Sequence, residues 1–346
     1  MKVLMSRCHA ARGFNLLEVL IAMVIGLALI AAFIAILQRT SRDTTAIESL
    51  SRLQDSARHA LRVLVADIEH AGFYGLSSAG RPRLVRGGAT LAEAESLVQP
   101  GATRAVNAVV GLPKGAHDCG VNFAVDVIRV VQGNDNGFAL GRDARDCAPT
   151  ASAGGAAAAA DTLTVRHASR DTTAPRAGRL QVYSSARSLD PLLLFADGRA
   201  PGPRDDQHEV RDLDVRSYYI ASSSVGRAGF PALRVKSLTE SRGAAQFRDE
   251  ELMPGVEDLQ LELGVRSDES GSPVVRFVAP DAPGAESGRI VAVRLWLRVR
   301  ADRTEAGFFD DRPLRYANVV FSPSAVEAAQ RRMLVERTVA LRNPAP

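Results

Sequence analysis

Lysine and aromatic residues are scarce in this sequence, and neither sign of charge prevails. Of its 346 residues only three are lysine and 5% are aromatic, so nearly all of the 43 basic residues are arginine. They are offset by 39 acidic residues. Lys2, Arg7 and Arg12 lie at the amino terminus with no acid beside them, which leaves the rest of the chain nearly neutral. A nucleic-acid-binding body would show a basic stripe, so we expect no nucleic-acid partner.

Sequence signatures of catalysis and of strong metal binding are also missing. The chain has no nucleophile elbow, phosphate loop, dinucleotide fingerprint or H-E-x-x-H motif, and none of its six histidines has the spacing of a metal ligand. His117 and Cys119 are close in sequence, but two residues alone do not define a zinc site or a nucleophile pair. We therefore expect neither an enzyme nor a cofactor.

One segment has a weak resemblance to a calcium-binding loop. Gln132, Asn134, Asn136, Gly137 and Asp143 have the relative spacing of EF-hand loop positions. Glutamine replaces the aspartate that opens such a loop, an aspartate replaces the bidentate glutamate that closes it, and flanking helices are not evident. We favour the alternative, an Asn-Asp-Asn-Gly turn that joins two strands. Asn134, Asn136 and Asp143 are retained as a weak calcium candidate.

Polar side chains are absent from a long run near the amino terminus, Val19–Leu37. At roughly 1.5 Å per residue a helix of this length measures about 28 Å, close to the hydrocarbon thickness of a bilayer. The run is too long for the apolar core of a secretory signal, and no small-residue cleavage site follows it. Basic residues precede it and few follow it, so we predict a single membrane span with the leader in the cytoplasm and the long carboxyl-terminal part outside.

A single carboxylate, Glu18, precedes this run. A charge that enters a membrane is costly, so its ordinary position would be at the headgroups. The segment from Gly13 and Phe14 to Glu18 (GFNLLE) and the apolar run after it resemble, however, the class III leader of type IV prepilins. The resemblance implies that a prepilin peptidase cuts between Gly13 and Phe14 and methylates the new amino terminus. Glu18 would then meet an α-amine, its own or a neighbouring subunit's, during docking. Ala35 departs from the pattern, since many pilins have proline there.

Apolar residues continue beyond the span at steps of three and four: Ile47, Leu50, Leu53, Ala57, Leu61, Leu64 and Ile68. Charged residues such as Asp55, Arg58 and Asp67 are predicted on other faces. Ala71 and Gly72 form a stop signal. We predict one helix over 14–71 that spans the membrane to about residue 37 and then packs an apolar stripe against the body. A short coiled coil is the alternative.

After Gly72 the pattern changes to short, β-branched segments without βαβ alternation. The predicted strands are Val121–Val131, Asp161–His167, Leu180–Tyr183, Val215–Ile220, Ala232–Val235, Leu259–Val265, Val274–Val278, Ile290–Val299 and Leu334–Leu341. The expected fold class is therefore α+β, a long amino-terminal helix packed on an antiparallel β-rich globular domain over 72–346. The alanine- and glycine-rich segment Ala151–Ala160 is predicted to be a loose loop, with a subdomain boundary as the alternative.

Four blocks of the body extend the resemblance to PilW-type minor pilins. They are Asp161–His167, Met253–Gly264, the strand from Ile290 and Arg332–Asn343. The resemblance implies a pilin-like fold and a minor pilin that primes or caps type IV pilus assembly. Its partners would be other minor pilins, the major pilin and a pilus-tip adhesin, and after assembly it would reside in the pilus. A type II secretion pseudopilin is one alternative, and a membrane-anchored periplasmic binding or enzymatic protein is another.

Cysteine is rare, with three residues in the whole chain. Cys8 lies in the predicted leader peptide, 1–13, and would leave with it. Cys119 and Cys147 remain, an even number in an oxidising compartment, and we predict a disulfide between them. Two separate buried thiols are the alternative.

Overall fold

The computed structural model describes residues 15–76, 82–84, 119, 123–127, 129–138, 148–186, 192–267 and 274–344. The chain divides into two compact units, Met1–Leu50 and Ser51–Pro346. The division falls within the long helix, because the second half of that helix packs into the body, and the predicted globular domain, 72–346, lies wholly in the second unit.

Helix α1 runs from Leu16 to His70. The backbone N–H groups of Glu18 and Val19 donate to the Asn15 carbonyl at 2.9 and 3.2 Å and so form its first turn. At the other end Gly72 adopts a φ of 76°, the left-handed conformation that commonly ends helices. The stop signal at Ala71 and Gly72 therefore ends the helix where the sequence predicts it.

Within the second unit, one stripe of α1 is buried: Leu53, Ala57, Ala60, Leu64 and Ile68 are each at most 2% exposed. This confirms the amphipathic pattern for the second half of the helix. The buried stripe does not continue toward the amino terminus of the helix, because Ile47 and Leu50 are exposed. The first half of α1 presents apolar side chains to the outside on every face.

The globular unit is built on two antiparallel sheets. Eight strands form the first: β1 (Pro82–Leu84), β2 (Val131–Asn134), β3 (Thr162–Thr172), β4 (Ala177–Ser185), β5 (Leu192–Asp197), β6 (His208–Ala221), β7 (Ala232–Ser241) and β8 (Ala244–Pro254). Their order is β1-β5-β4-β6-β3-β2, and β7 pairs with both β6 and β8. Every pair is antiparallel except β1 with β5. The predicted α+β class is confirmed.

The second sheet has the order β10-β9-β11-β14. Its strands are β9 (Val256–Ser267), β10 (Val274–Val278), β11 (Arg289–Arg300) and β14 (Arg332–Ala340). Between β11 and β14 lie the hairpin strands β12 (Leu314–Tyr316) and β13 (Val319–Phe321), and a short helix α2 (Pro283–Ser287) precedes β11. β11 covers the predicted strand Ile290–Val299, and Val293, Leu295, Leu297 and Val299, which alternate along it, are buried together. The core joins these residues to the helix stripe and the first sheet.

The first sheet is covered on both faces around β3. Successive side chains of a strand point to opposite faces. His167 points to α1, and Arg166 points to the segment that contains Phe123 and Arg129. The Arg166 guanidinium is fully buried and donates to the Phe123 and Arg129 carbonyls at 2.8–3.0 Å.

This arginine explains why the predicted strand Val121–Val131 is wrong. Residues 123–125 form a turn, and the observed strand β2 begins only at Val131. Carbonyl groups that would pair with a neighbouring strand instead accept hydrogen bonds from a side chain. A periodic pattern of apolar residues does not distinguish a segment whose carbonyl groups pair with a strand from one whose carbonyl groups bind a side chain.

The segment Ala151–Ala160 is not a loose loop. It contains a 3₁₀ turn at Ala151–Ala153, and the Ala157 N–H donates to the Ile220 carbonyl at 2.8 Å. Ala160 is buried. The small side chains allow this backbone to approach the end of β6. Because both sheets belong to one compact unit, the segment is not a subdomain boundary either.

We predict that Gly72→Ala destabilises the protein. A Cβ atom at this position would lie 2.0 Å from the Asn343 carbonyl oxygen, and the positive φ adds strain of roughly 1–2 kcal/mol for any other residue. Gly155→Ala is the matched control, since Gly155 has a φ of 74° but nothing within 4 Å. Urea unfolding of the full chain in detergent should show the larger loss for Gly72→Ala. Equal losses would show that the contact with Asn343 is unimportant.

Candidate assembly site on helix α1

Glu18 lies in the first turn of α1 and is exposed. Leu17, Leu20 and Ile21 beside it are exposed as well, each by more than half of its surface. A carboxylate at a helix amino terminus is favourable because it faces the unpaired N–H groups of the first turn. Gly13 and Phe14 lie outside the described residues. The predicted meeting of Glu18 with the Phe14 α-amine is therefore still a prediction.

The rest of this half of α1 is a continuous apolar surface. It is long and apolar enough to cross a membrane, and none of its most apolar stretch is buried. Large side chains such as Met23, Leu27, Phe33 and Ile36 are more than 60% exposed. A surface of this size on a helix needs lipid or other protein chains around it.

The second half of α1 is held to the sheet by a buried carboxylate, Asp67, which the helical pattern predicts on another face. Asp67 is 6% exposed and faces the sheet, not a solvent-exposed face. Arg216 Nη1 donates to its two carboxylate oxygens at 2.8 and 3.1 Å, and the Tyr218 hydroxyl donates to Oδ2. We call Asp67, Arg216 and Tyr218 the helix anchor. A usable signal existed, since Asp67 lies three residues after Leu64 and one before Ile68, beside the apolar stripe.

The strand side of the helix anchor follows from alternation along β6. Asp212, Asp214, Arg216 and Tyr218 are spaced by two residues and so share one face. Arg179 from β4 forms ion pairs with two of these carboxylates, since its guanidinium is 3.2 Å from Asp212 and 2.9 Å from Asp214. The carboxylates on this face therefore have arginine partners, which is how buried charges are tolerated.

The anchor shifts the ionisation of its members. Burial raises the pKa of Asp67, but His167, Arg216 and Tyr218 outweigh it, and the net pKa is lowered. Burial, with the nearby Asp67 charge, raises the pKa of Tyr218 well above its usual value. Asp67 is thus ionised and Tyr218 neutral near neutral pH. The stability from Asp67 is present above its unfolded pKa and is lost as the pH falls through the lower folded value.

A second charged cluster fixes the β12–β13 hairpin on the second sheet. Glu257 accepts hydrogen bonds from Arg298 and Arg332 at 2.7 and 2.9 Å, and Asp258 accepts one from the Tyr316 hydroxyl. Burial raises the pKa of Asp258 despite these donors. The cluster holds the hairpin in place. Among the described residues no group of three or more His, Cys, Asp or Glu side chains could hold a metal ion.

The weak calcium candidate lies partly in the described region. The side-chain amide of Asn134 donates to the backbone carbonyl of Asn136 at 2.9 Å, and Asn136 adopts a φ of 62°. The Asn136 N–H donates to Asp161, at 2.9 Å. These contacts are those of a tight turn. Asp143 lies outside the described residues, so calcium binding stays untested.

Cys119 is fully buried and is disulfide-bonded. Cys147 and Cys8 lie outside the described residues. The predicted pairing of Cys119 with Cys147 therefore stays a prediction.

Comparison with known proteins places the resemblance in the carboxyl-terminal part. The family model described as Type IV Pilus-assembly protein W matches residues 217–343, which include three of the four blocks noted in the sequence. The match confirms the resemblance to PilW-type proteins over that range. Among solved structures, the chain is similar to a type IV-like pilin from Thermus thermophilus at 13% identity and a TM-score of 0.26, over 57% of this chain and 83% of that one. No curated protein sequence matches the chain.

We predict that Asp67→Asn strongly destabilises the globular unit. It keeps the shape of the side chain but removes the charge that pairs with Arg216, whose side chain is 37% exposed, and weakening a hydrogen bond to a charged group at a buried position costs roughly 1–3 kcal/mol. Urea unfolding of the full chain in detergent measures the loss.

Asp310→Asn is the control for charge removal itself. Asp310 pairs with Arg312 on the surface at 2.8 Å, where solvent screens the interaction. We expect little change in stability for this variant. If both variants unfold alike, the anchor does not hold the helix.

Proposed function

We propose that this chain is a minor pilin that takes part in type IV pilus biogenesis. It would prime or cap filament assembly together with other minor pilins and the major pilin. One observation carries the proposal: α1 exposes an apolar first half with a single carboxylate, Glu18, in its first turn, and anchors its second half in a β-rich body. The family match over 217–343 supports it independently, because it rests on the other end of the chain.

The apolar half of α1 has two successive roles in this proposal. Before assembly it holds the protein in the inner membrane, with the globular unit in the periplasm. A prepilin peptidase removes residues 1–13 and leaves Phe14 as the methylated amino terminus. In the filament the same surface packs against the helices of neighbouring subunits, and the globular unit binds partner minor pilins or a tip adhesin.

Glu18 supplies the specificity of docking. An unpaired carboxylate among apolar side chains is unfavourable, and pairing it with the α-amine of an adjacent subunit recovers much of that cost. Docking is then favoured in the register that brings the two charges together. Apolar packing alone would allow many registers.

A pseudopilin of type II secretion would share the leader and the apolar helix, so the same observation fits it. Deletion of the gene separates the two functions. Loss of surface pili and of twitching, with exoprotein secretion retained, supports the pilus. Loss of exoprotein secretion with pili retained would assign the chain to the secretion system.

We predict that Glu18→Ala protein is inserted and processed but assembles poorly. The substitution makes the span more apolar, so membrane insertion is unimpaired, whereas the docking charge is lost. Co-purification with the major pilin and the number of surface pili should both fall. Both are measured in a strain whose own copy of the gene is deleted.

Glu48→Ala is the matched control, because Glu48 is an exposed carboxylate on the same helix but lies outside the apolar run. It should restore pili as wild type does. Circular dichroism of the purified Glu18→Ala protein checks that helix content is unchanged, since Glu18 also favours the first turn. Full piliation by Glu18→Ala would refute the docking role.

A further inference from the structure

We infer that His167 makes the attachment of α1 to the first sheet sensitive to pH, through the ring nitrogen that faces Asp67. The segment concerned is the part of α1 within the globular unit, residues 51–70. The inference concerns the stability of this attachment and does not depend on which filament or secretion system the chain serves.

The first step is the tautomer of His167. Its Nδ1 atom is 2.8 Å from the Ala168 carbonyl oxygen. A carbonyl oxygen can only accept a hydrogen bond, so Nδ1 carries a proton in every state of the ring. The ionisation of His167 is therefore the gain or loss of a proton at Nε2.

The second step is the position of Nε2. It is buried, it makes no hydrogen bond, and it lies 3.7 Å from Asp67 Oδ1. In the neutral ring, the lone pair of Nε2 faces a carboxylate, which is repulsive and leaves a buried polar atom unsatisfied. In the charged ring an N–H group faces the same carboxylate, which forms an ion pair. The site therefore favours the imidazolium.

The other charges around the ring do not reverse this preference. From β6 the ring is faced by Asp214, which favours the positive form, and by Arg216, which is already bonded to Asp67. From α1 the neighbouring group is His70, with ring centroids 6.2 Å apart. Burial lowers the pKa of His167, but Asp67, the Ala168 carbonyl and Asp214 outweigh it, and the net pKa is raised.

The direction of the effect follows from linkage. The folded pKa of His167 is above its unfolded value near 6.5, so the added stability is fully present below that value. It is lost as the pH rises through the folded pKa. Arg216 still holds Asp67 at high pH, so the helix loosens without losing its anchor. Segment 51–70 therefore opens more readily in alkaline than in mildly acidic conditions.

Hydrogen–deuterium exchange on the full chain in detergent tests this at pH 6 and pH 8.5, after correction for intrinsic exchange rates. Protection of peptides from residues 57–70 should fall on raising the pH, by about tenfold for each pH unit by which the folded pKa exceeds 6.5. Peptides from β9 and β11 serve as the internal reference and should change little. An equal change in both regions would overturn the inference.

Two variants assign the effect to His167. His167→Gln should abolish the pH-dependent part of the protection, because the amide does not titrate. His59→Gln, an exposed histidine on the same helix, should keep the wild-type dependence.

A direct titration covers the case in which His167→Gln does not fold. The ring C–H resonance of His167 is followed by NMR in the wild-type protein in detergent. A midpoint above 6.5 supports the inference, and a midpoint at or below 6.5 overturns it.

Discussion

The buried carboxylate of Asp67 is the interaction on which the globular unit depends. It joins α1 to β3 through His167 and to β6 through Arg216 and Tyr218, groups that are about 100 to 151 residues away in sequence. Taking a carboxylate out of water costs several kcal/mol, and the arginine, tyrosine and histidine offset that cost only in one arrangement. An apolar stripe alone would let the helix slide or rotate on the sheet. The carboxylate selects one register.

The two halves of α1 differ in what surrounds them. In the globular unit the second half packs its apolar stripe and Asp67 against the protein's own sheet, whereas the first half exposes apolar side chains and Glu18. The apolar surface of the second half is therefore covered by the protein's own sheet, whereas that of the first half needs lipid or other chains to cover it.

Much of this architecture could be predicted from the sequence because it rests on local signals. The helix stop at Gly72 and the strand over Ile290–Val299 depend on neighbouring residues, and both are found where the pattern indicates. Strands β1, β5, β8, β12 and β13 were missed. β8 is rich in charge, and it becomes a strand because it pairs with β7 along its whole length. The paired residues run from Ser241 with Ala244 at the turn to Ala232 with Pro254 at the far end. Arg166 was missed for a related reason, because its partners are distant in sequence. Asp67 lies beside the apolar stripe, which is a local signal of burial, but nothing near it in sequence indicates that Arg216 and Tyr218 are its partners.

The proposed function requires a processed pilin subunit whose apolar helix begins at a free, methylated amine. Peptide mass spectrometry of the mature protein, isolated from the membranes of its native host, tests it most directly. The account predicts an amino-terminal peptide that begins with N-methylated Phe14 and lacks residues 1–13. A mature protein that retains Met1, or that is cut after the apolar run, would contradict the account and leave a membrane-anchored or secreted protein of another kind.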